Sequence, residues 1–263
     1  MNTFTDQIGM KIVLKDKPVR IVSVVPSQTE LLFDLGLDEE VLGITKFCIH
    51  PDKWFRSKVR VGGTKNLDLE KIRELKPDII FANKEENKQD EITELQKHFP
   101  VWTSDIKDLN GALEMIDQIG LICDKVNEAK LIVHSIEENF RSLQKYDPLD
   151  CIYLIWNKPI MTIGGDTFIN DMLVRSGFGN LSKNLNRYPA LSESELIHLN
   201  PACLLLSSEP FPFKEEHVKF YRKLLPSSRI IIVDGEMFSW YGSRLMKAPG
   251  YFSELRLKIE NAL

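Results

Sequence analysis

Leu109-Asn110-Gly111-Ala112-Leu113-Glu114-Met115-Ile116-Asp117-Gln118-Ile119-Gly120-Leu121-Ile122 opens a proline-free stretch that runs on to Tyr146. Apolar residues recur through it at Leu109, Leu113, Ile116, Ile119, Ile122, Val126, Ala129, Val133, Ile136, Phe140 and Leu143. Spacing by three and four is the pattern of an amphipathic helix. Asp147-Pro148 closes it, because proline cannot continue a helix. The spacing therefore predicts one long helix, and the chain on either side of it follows the same order of elements.

Before this helix, Val19-Arg20-Ile21-Val22-Ser23-Val24-Val25 is a β-branched run suited to a buried parallel strand. Ser27-Gln28-Thr29-Glu30 follows as a capping box, with Gly36 as the stop of its helix. Val41 to Ile44 and Ile79 to Ala82 read as further strands, Asp68 to Leu75 and Glu91 to Lys97 as helices, and Val101-Trp102 as a last strand. Met10 to Lys17 reads as a short strand or edge hairpin.

After it, Cys151 to Trp156 is a strand, Thr167 to Arg175 a helix stopped by Gly177, and Ser192 to Glu195 a second capping box. Leu196 to Leu206 then mirrors Ile72 to Phe81: a helix ends in Leu-x-Pro and passes directly into a buried strand. Ile230 to Val233 is the final strand. Alternating strands and helices imply an α/β protein with a parallel sheet in each of two similar lobes. The expected boundaries are 1–107 for the first lobe, 108–147 for the connecting helix and 148–263 for the second lobe.

Composition narrows the function. With 263 residues, 43% hydrophobic and 27% charged, the chain has the make-up of a globular protein with room for two cores. A net charge of −4 argues against nucleic acid as a partner. No run approaches the roughly 20 apolar residues of a membrane span. The scattered cysteines Cys48, Cys123, Cys151 and Cys203 read as small core hydrophobes, with Cys48 beside His50 as an alternative soft ligand. Phosphate-loop, dinucleotide-binding and nucleophile-elbow motifs are missing, and the five histidines lack metalloprotease spacing. No catalytic residue is expected. Met1 to Asp6 has neither a basic nor an apolar leader region. The expected location is therefore periplasmic or cell-surface if a leader was removed, and cytoplasmic otherwise.

In parallel sheets, ligands sit beyond the carboxyl ends of the strands. Here those loops carry aromatic side chains among a few charges, a mixture suited to a large, flat, partly polar ligand. The candidate ligand residues are Ser27, Gln28, Thr29, His50, Trp54 and Lys65 in the first half. In the second they are Trp156, Arg187, Tyr188, Glu209, Phe211, Phe238, Trp240 and Arg244. Each has a plainer reading. Ser27 to Glu30 either offers helix amides to an anion or only caps a helix. His50 ligates a metal or is a loop histidine bonded to backbone. Trp54 covers its own lobe's core or faces ligand. Arg187 and Arg244 meet an anion or pair with Glu209 or Glu236.

The motifs Arg20-Ile21-Val22-Ser23, Pro26-Ser27-x-Thr29-Glu30, Leu35-Gly36-Leu37, Val41 to Thr45, Val61-Gly62-Gly63 and Leu69 to Ile80 together resemble the substrate-binding proteins of ABC importers for cobalamin and ferric siderophores. The likeness continues through Pro159 to Leu173 and Leu199-Asn200-Pro201, and is nearest the cobalamin-binding branch. His50-Pro51 stands where that branch has Tyr-Pro. The resemblance implies the class III, helical-backbone metal-receptor fold: two α/β lobes joined by one long helix, with little hinge motion. It implies a monomer that clamps a corrinoid, ferric siderophore or haem-type chelate in a cleft between the lobes, as cargo and not as a catalytic cofactor. It also implies a glutamate on each lobe that docks on the importer's permease, carried over to Glu91 and to Glu215 or Glu216. The competing expectation is a cytoplasmic chelate-handling protein, sensor or enzyme on the same scaffold.

Overall fold

The computed structural model describes residues 2–260, which divide into two compact units. The first comprises residues up to Ile106, Asn110–Glu137 and Tyr241–Arg244; the second comprises Lys107–Leu109, Glu138–Trp240 and the chain from Leu245 onward.

The first unit opens with an antiparallel hairpin, β1 (Asn2–Thr5) and β2 (Lys11–Leu14). Then come β3 (Ile21–Ser23), α1 (Pro26–Asp34), β4 (Val41–Ile44), α2 (Asp52–Ser57) and β5 (Val59–Arg60). A small antiparallel pair follows, β6 (Gly62–Gly63) with β7 (Asn66–Leu67). The unit continues with α3 (Leu69–Leu75), β8 (Ile79–Asn83), α4 (Gln89–Gln96) and β9 (Val101–Ser104). Its main sheet is parallel throughout, in the order β5-β4-β3-β8-β9. Every residue of β3, β8 and β9 is buried, which explains their unbroken apolar runs: both faces of a parallel sheet are covered.

The expected long helix is instead two helices, α5 (Leu109–Ile122) and α6 (Val126–Arg141). Asp124 between them takes a left-handed φ of 56°. Aspartate tolerates that region better than most residues, since its short polar side chain bonds locally. Packing explains the break. A Cβ on Gly120 would fall 2.3 Å from the Ala129 Cβ and 3.1 Å from the Lys125 carbonyl oxygen. The two helices therefore meet closely at Gly120 and Ala129, which are nine residues apart and would lie about 13 Å apart along a single helix. The apolar stripe is real in both: Ile116, Ile119, Ala129 and Ile136 are buried.

The second unit holds β10 (Leu149–Leu154), β11 (Ile160–Met161), α7 (Phe168–Arg175), β12 (Phe178–Asn180), β13 (Ala190–Leu191), α8 (Glu193–Leu199) and β14 (Cys203–Ser207). It ends with α9 (Glu215–Leu224), β15 (Arg229–Val233), α10 (Gly235–Ser239) and α11 (Ala248–Glu260). Its parallel sheet has the order β12-β10-β14-β15. Ile152, Leu154, Leu204 and Leu206 join Leu196, Val218 and Tyr221 in one core cluster.

The mirrored Leu-x-Pro motifs have one backbone form. Lys76 after α3 and Asn200 after α8 are both left-handed caps, at φ 46° and 43°. Gly36 and Gly177, the expected stops, sit at φ 76° and 79°, a region open to glycine without strain. The capping box at Ser192 forms: Ser192 Oγ accepts from the Glu195 amide at 3.2 Å, and the Ser192 amide donates to Glu195 Oε2 at 2.7 Å. The box expected at Ser27 does not form. Val25 is the N-cap of α1, Pro26 takes the first turn, and Glu30 is engaged elsewhere.

Candidate functional site

In the first unit a continuous polar network closes the carboxyl ends of the strands. Thr29 Oγ1 donates within 2.7 Å of Ser23 Oγ, and Cys48 Sγ lies 3.1 Å from both Thr29 and Thr45 hydroxyls. Gln28 Nε2 donates to Ser104 Oγ at 2.7 Å, and Asn83 Nδ2 to the same hydroxyl at 2.9 Å. Asn87 Nδ2 donates to the Val24 and Thr64 carbonyls, while Asn83 Oδ1 accepts from the amides of Glu85 and Glu86. Asn83 and Asn87 escaped the sequence reading. Their signal was two asparagines four apart just after a strand, residues that bond their own backbone in turns.

Docked on this edge is Tyr241–Arg244, a segment remote in sequence. Arg244 Nε and Nη2 each donate to one oxygen of the Glu30 carboxylate at 2.8 Å, and both side chains are nearly sealed. The Tyr241 hydroxyl donates to Glu86 Oε1 at 2.7 Å, and burial holds its pKa far above the usual phenol value. A Cβ on Gly242 would press to 2.8 Å from the Ser27 carbonyl oxygen.

These facts correct several expectations. Ser27, Gln28 and Thr29 are buried under the loops. Arg244 pairs with the buried Glu30 carboxylate. Trp54 is wholly buried, its indole N–H donating to Asp38 Oδ1 at 2.6 Å and its ring 5.3 Å from Phe33, so it covers its own core. Lys46 and Phe47 are exposed, with the ammonium 5.1 Å from the ring centre. Lys65 is exposed and donates to the Glu85 carbonyl; His50 is half-buried. Among the described residues no group of three or more His, Cys, Asp or Glu could hold a metal ion, and all four cysteines are buried and free.

The second unit presents the aromatic surface. Trp156, just beyond β10, is 39% exposed and meets Phe211 edge-on at 5.5 Å. Its indole N–H donates to the Lys158 carbonyl at 3.1 Å, which fixes the ring. Phe211 is braced by Phe213 at 4.8 Å and His217 at 5.2 Å. Arg187 lies over the ring of Tyr188 at 5.5 Å on an exposed loop. Glu209 Oε1 accepts from Ser239 Oγ at 2.8 Å and from Trp240 Nε1 at 2.9 Å. Burial pushes the Glu209 pKa upward, and neighbouring Glu236 and Asp234 push the same way. Phe238, expected at the ligand, is instead wholly buried against Tyr153 and Phe252, and Trp240 is only 7% exposed.

The expected docking glutamates differ in what they leave accessible. Glu91 is turned in: its carboxylate accepts from the Leu67 amide at 3.0 Å and its side chain is only 14% exposed. Glu215 and Glu216 begin α9 on the surface.

A family model for periplasmic binding proteins matches residues 21–225. The chain belongs to this family. An ABC transporter substrate-binding lipoprotein of Bacillus subtilis, YvrC, itself uncharacterized, is 27% identical over 77% of this chain and 68% of its own length. A vitamin B12-binding protein of Vibrio campbellii is 25% identical over 72% and 70%. Among solved structures, the periplasmic haem-binding protein RhuT of Roseiflexus, in its apo form, superposes with a TM-score of 0.79 at 18% identity, covering 92% of this chain and 98% of that one. The fold is that of the class III binding proteins. The family's members bind solutes, and this periplasmic binding protein is a carrier and not an enzyme. Its curated relatives include an ABC transporter substrate-binding lipoprotein and vitamin B12-binding proteins, which supports a location outside the cytoplasm and leaves the cytoplasmic alternative without support. Among the described residues no helix is long and apolar enough to cross a membrane.

Proposed function

We propose that this binding protein carries a corrinoid or an iron chelate of the siderophore or haem kind to an ABC importer, holding it on the carboxyl-end loops of its sheets. The observation that supports this reading is Trp156 with Phe211: a braced aromatic surface left partly open where α/β proteins bind ligands. In the first unit, Lys46, Phe47 and His50 follow β4 as aromatic and basic groups at the carboxyl end of that unit's own sheet. His50 is the candidate to touch the chelate's metal. Of the docking residues, Glu216 has the open surface a permease arginine needs, with a side chain 76% exposed.

Four tryptophans make the test simple. Trp54, Trp102 and Trp240 are buried, and Trp156 is partly open to solvent. Cyanocobalamin, haemin and a ferric hydroxamate are each titrated into the protein while its fluorescence is followed. At least one should quench it saturably, and Trp156→Phe should weaken binding about fivefold or more, as loss of an aromatic anchor does. No saturable response to any of the three would refute the reading.

A further inference from the structure

Glu209 is held in an unusual way. Both hydrogen bonds to its carboxylate fall on Oε1, from Ser239 and Trp240, so the group is fixed in place. Oε2 has no partner among the described residues, and it is not sealed from solvent. No lysine or arginine among the described residues pairs with it, although the side chain is half-buried. Its acidic neighbours are Glu236 and Asp234. A half-buried carboxylate without a counter-charge costs stability, and more so beside other acids. Such a cost is common where a ligand supplies the missing partner. Two residues further along the same loop stands Phe211, beside the exposed Trp156.

We propose that Glu209 Oε2 accepts a hydrogen bond from an N–H group on the rim of the ligand. The site then favours a chelate edged with amides or an ammonium over one edged with carboxylates. A carboxylate placed there would face the Glu209 carboxylate, with Glu236 and Asp234 nearby. This rests on the reading that the carboxyl-end loops of the second unit touch the ligand, and it narrows the ligand class that reading leaves open.

The test compares cyanocobalamin, which carries primary amides, ferrioxamine B, which carries an ammonium, and haemin, which carries two propionates. Dissociation constants are measured by calorimetry for the wild type, Glu209→Ala and Glu209→Gln, with a thermal melt to confirm that each variant is folded. An amide or ammonium ligand should bind about tenfold or more tighter than haemin, equal to ~1.4 kcal/mol. Glu209→Ala should weaken the preferred ligand about tenfold and leave haemin unchanged or tighter. Glu209→Gln separates the two donors: an amide ligand stays within about threefold, and an ammonium ligand loses about tenfold, because the charge is gone. If haemin binds best, or if both folded variants keep wild-type affinity, Glu209 does not select the ligand even though binding itself stands. If none of the three binds the wild type, the functional reading fails along with this one.

Discussion

Single residues decide how the first unit is closed, and the pair Glu30–Arg244 shows it most clearly. The two charges exclude water from each other and share a bidentate bond across 214 positions of sequence. Removing one partner strands the other in a buried site, a cost of about 3–5 kcal/mol. Arg244→Met should therefore lower the stability of the protein by that amount in urea unfolding. The double variant Arg244→Met with Glu30→Leu should recover most of the loss, since well-packed apolar side chains replace buried ion pairs at little cost. Equal instability in the single and double variants would contradict the pairing. Sequence could not supply this pair. Ser27 and Glu30 have the spacing of a capping box, and only the fold shows that Arg244 takes the glutamate first. Asp38 is a second decisive residue. Hydrogen bonds from Lys53 and then Trp54 hold its pKa down to about 2. A carboxylate whose pKa is lowered in the folded state adds stability above its ordinary value near 3.8, and that stability is lost as the pH falls toward 2. Asp38→Asn should thus be less stable than wild type at pH 7, with the difference shrinking through that acid range in pH-dependent melts. A difference that stays constant down to pH 2 would show that Asp38 is not ionised in this bond network.

At the scale of elements, the strands were legible because parallel strands buried on both faces need continuous β-branched and aliphatic runs. Ile21 to Ser23, Ile79 to Asn83 and Cys203 to Ser207 are such runs. Gly36 and Gly177 were legible as stops because a left-handed backbone favours glycine. The break between α5 and α6 was not, because neither glycine nor proline marks it: Asp124 carries the turn, and the apolar spacing runs on through it. What compels the turn is the close approach of Gly120 to Ala129. This gives an opposed pair of expectations. In one unbroken helix Gly120→Ala would stabilise by about 1 kcal/mol, the helix propensity difference. In the packed pair it should destabilise by about 1–3 kcal/mol, as overpacking does. Denaturant unfolding of that variant reads the sign.

For the molecule as a whole, the order of elements and the motifs Arg20 to Ile80 and Pro159 to Leu173 were enough to reach the family, which the match over residues 21–225 establishes. The site was legible only in part. Trp156, Lys65 and Phe211 lie at least partly open on carboxyl-end loops, which leaves them accessible to a ligand. Trp54 and Phe238 are buried in cores and Arg244 in an ion pair, because aromatic and basic residues also serve those uses and sequence spacing does not separate them. The central claim is that this family member captures an intact metal chelate and releases it unchanged. Isothermal titration of cyanocobalamin, haemin and ferrioxamine B, with each ligand recovered and examined by mass spectrometry, tests that most directly. The account predicts one-to-one saturable binding of at least one chelate, a negative heat-capacity change from the apolar surface buried, and recovery of that ligand without covalent change. Absence of binding by all three, or recovery of a chemically altered chelate, would contradict it.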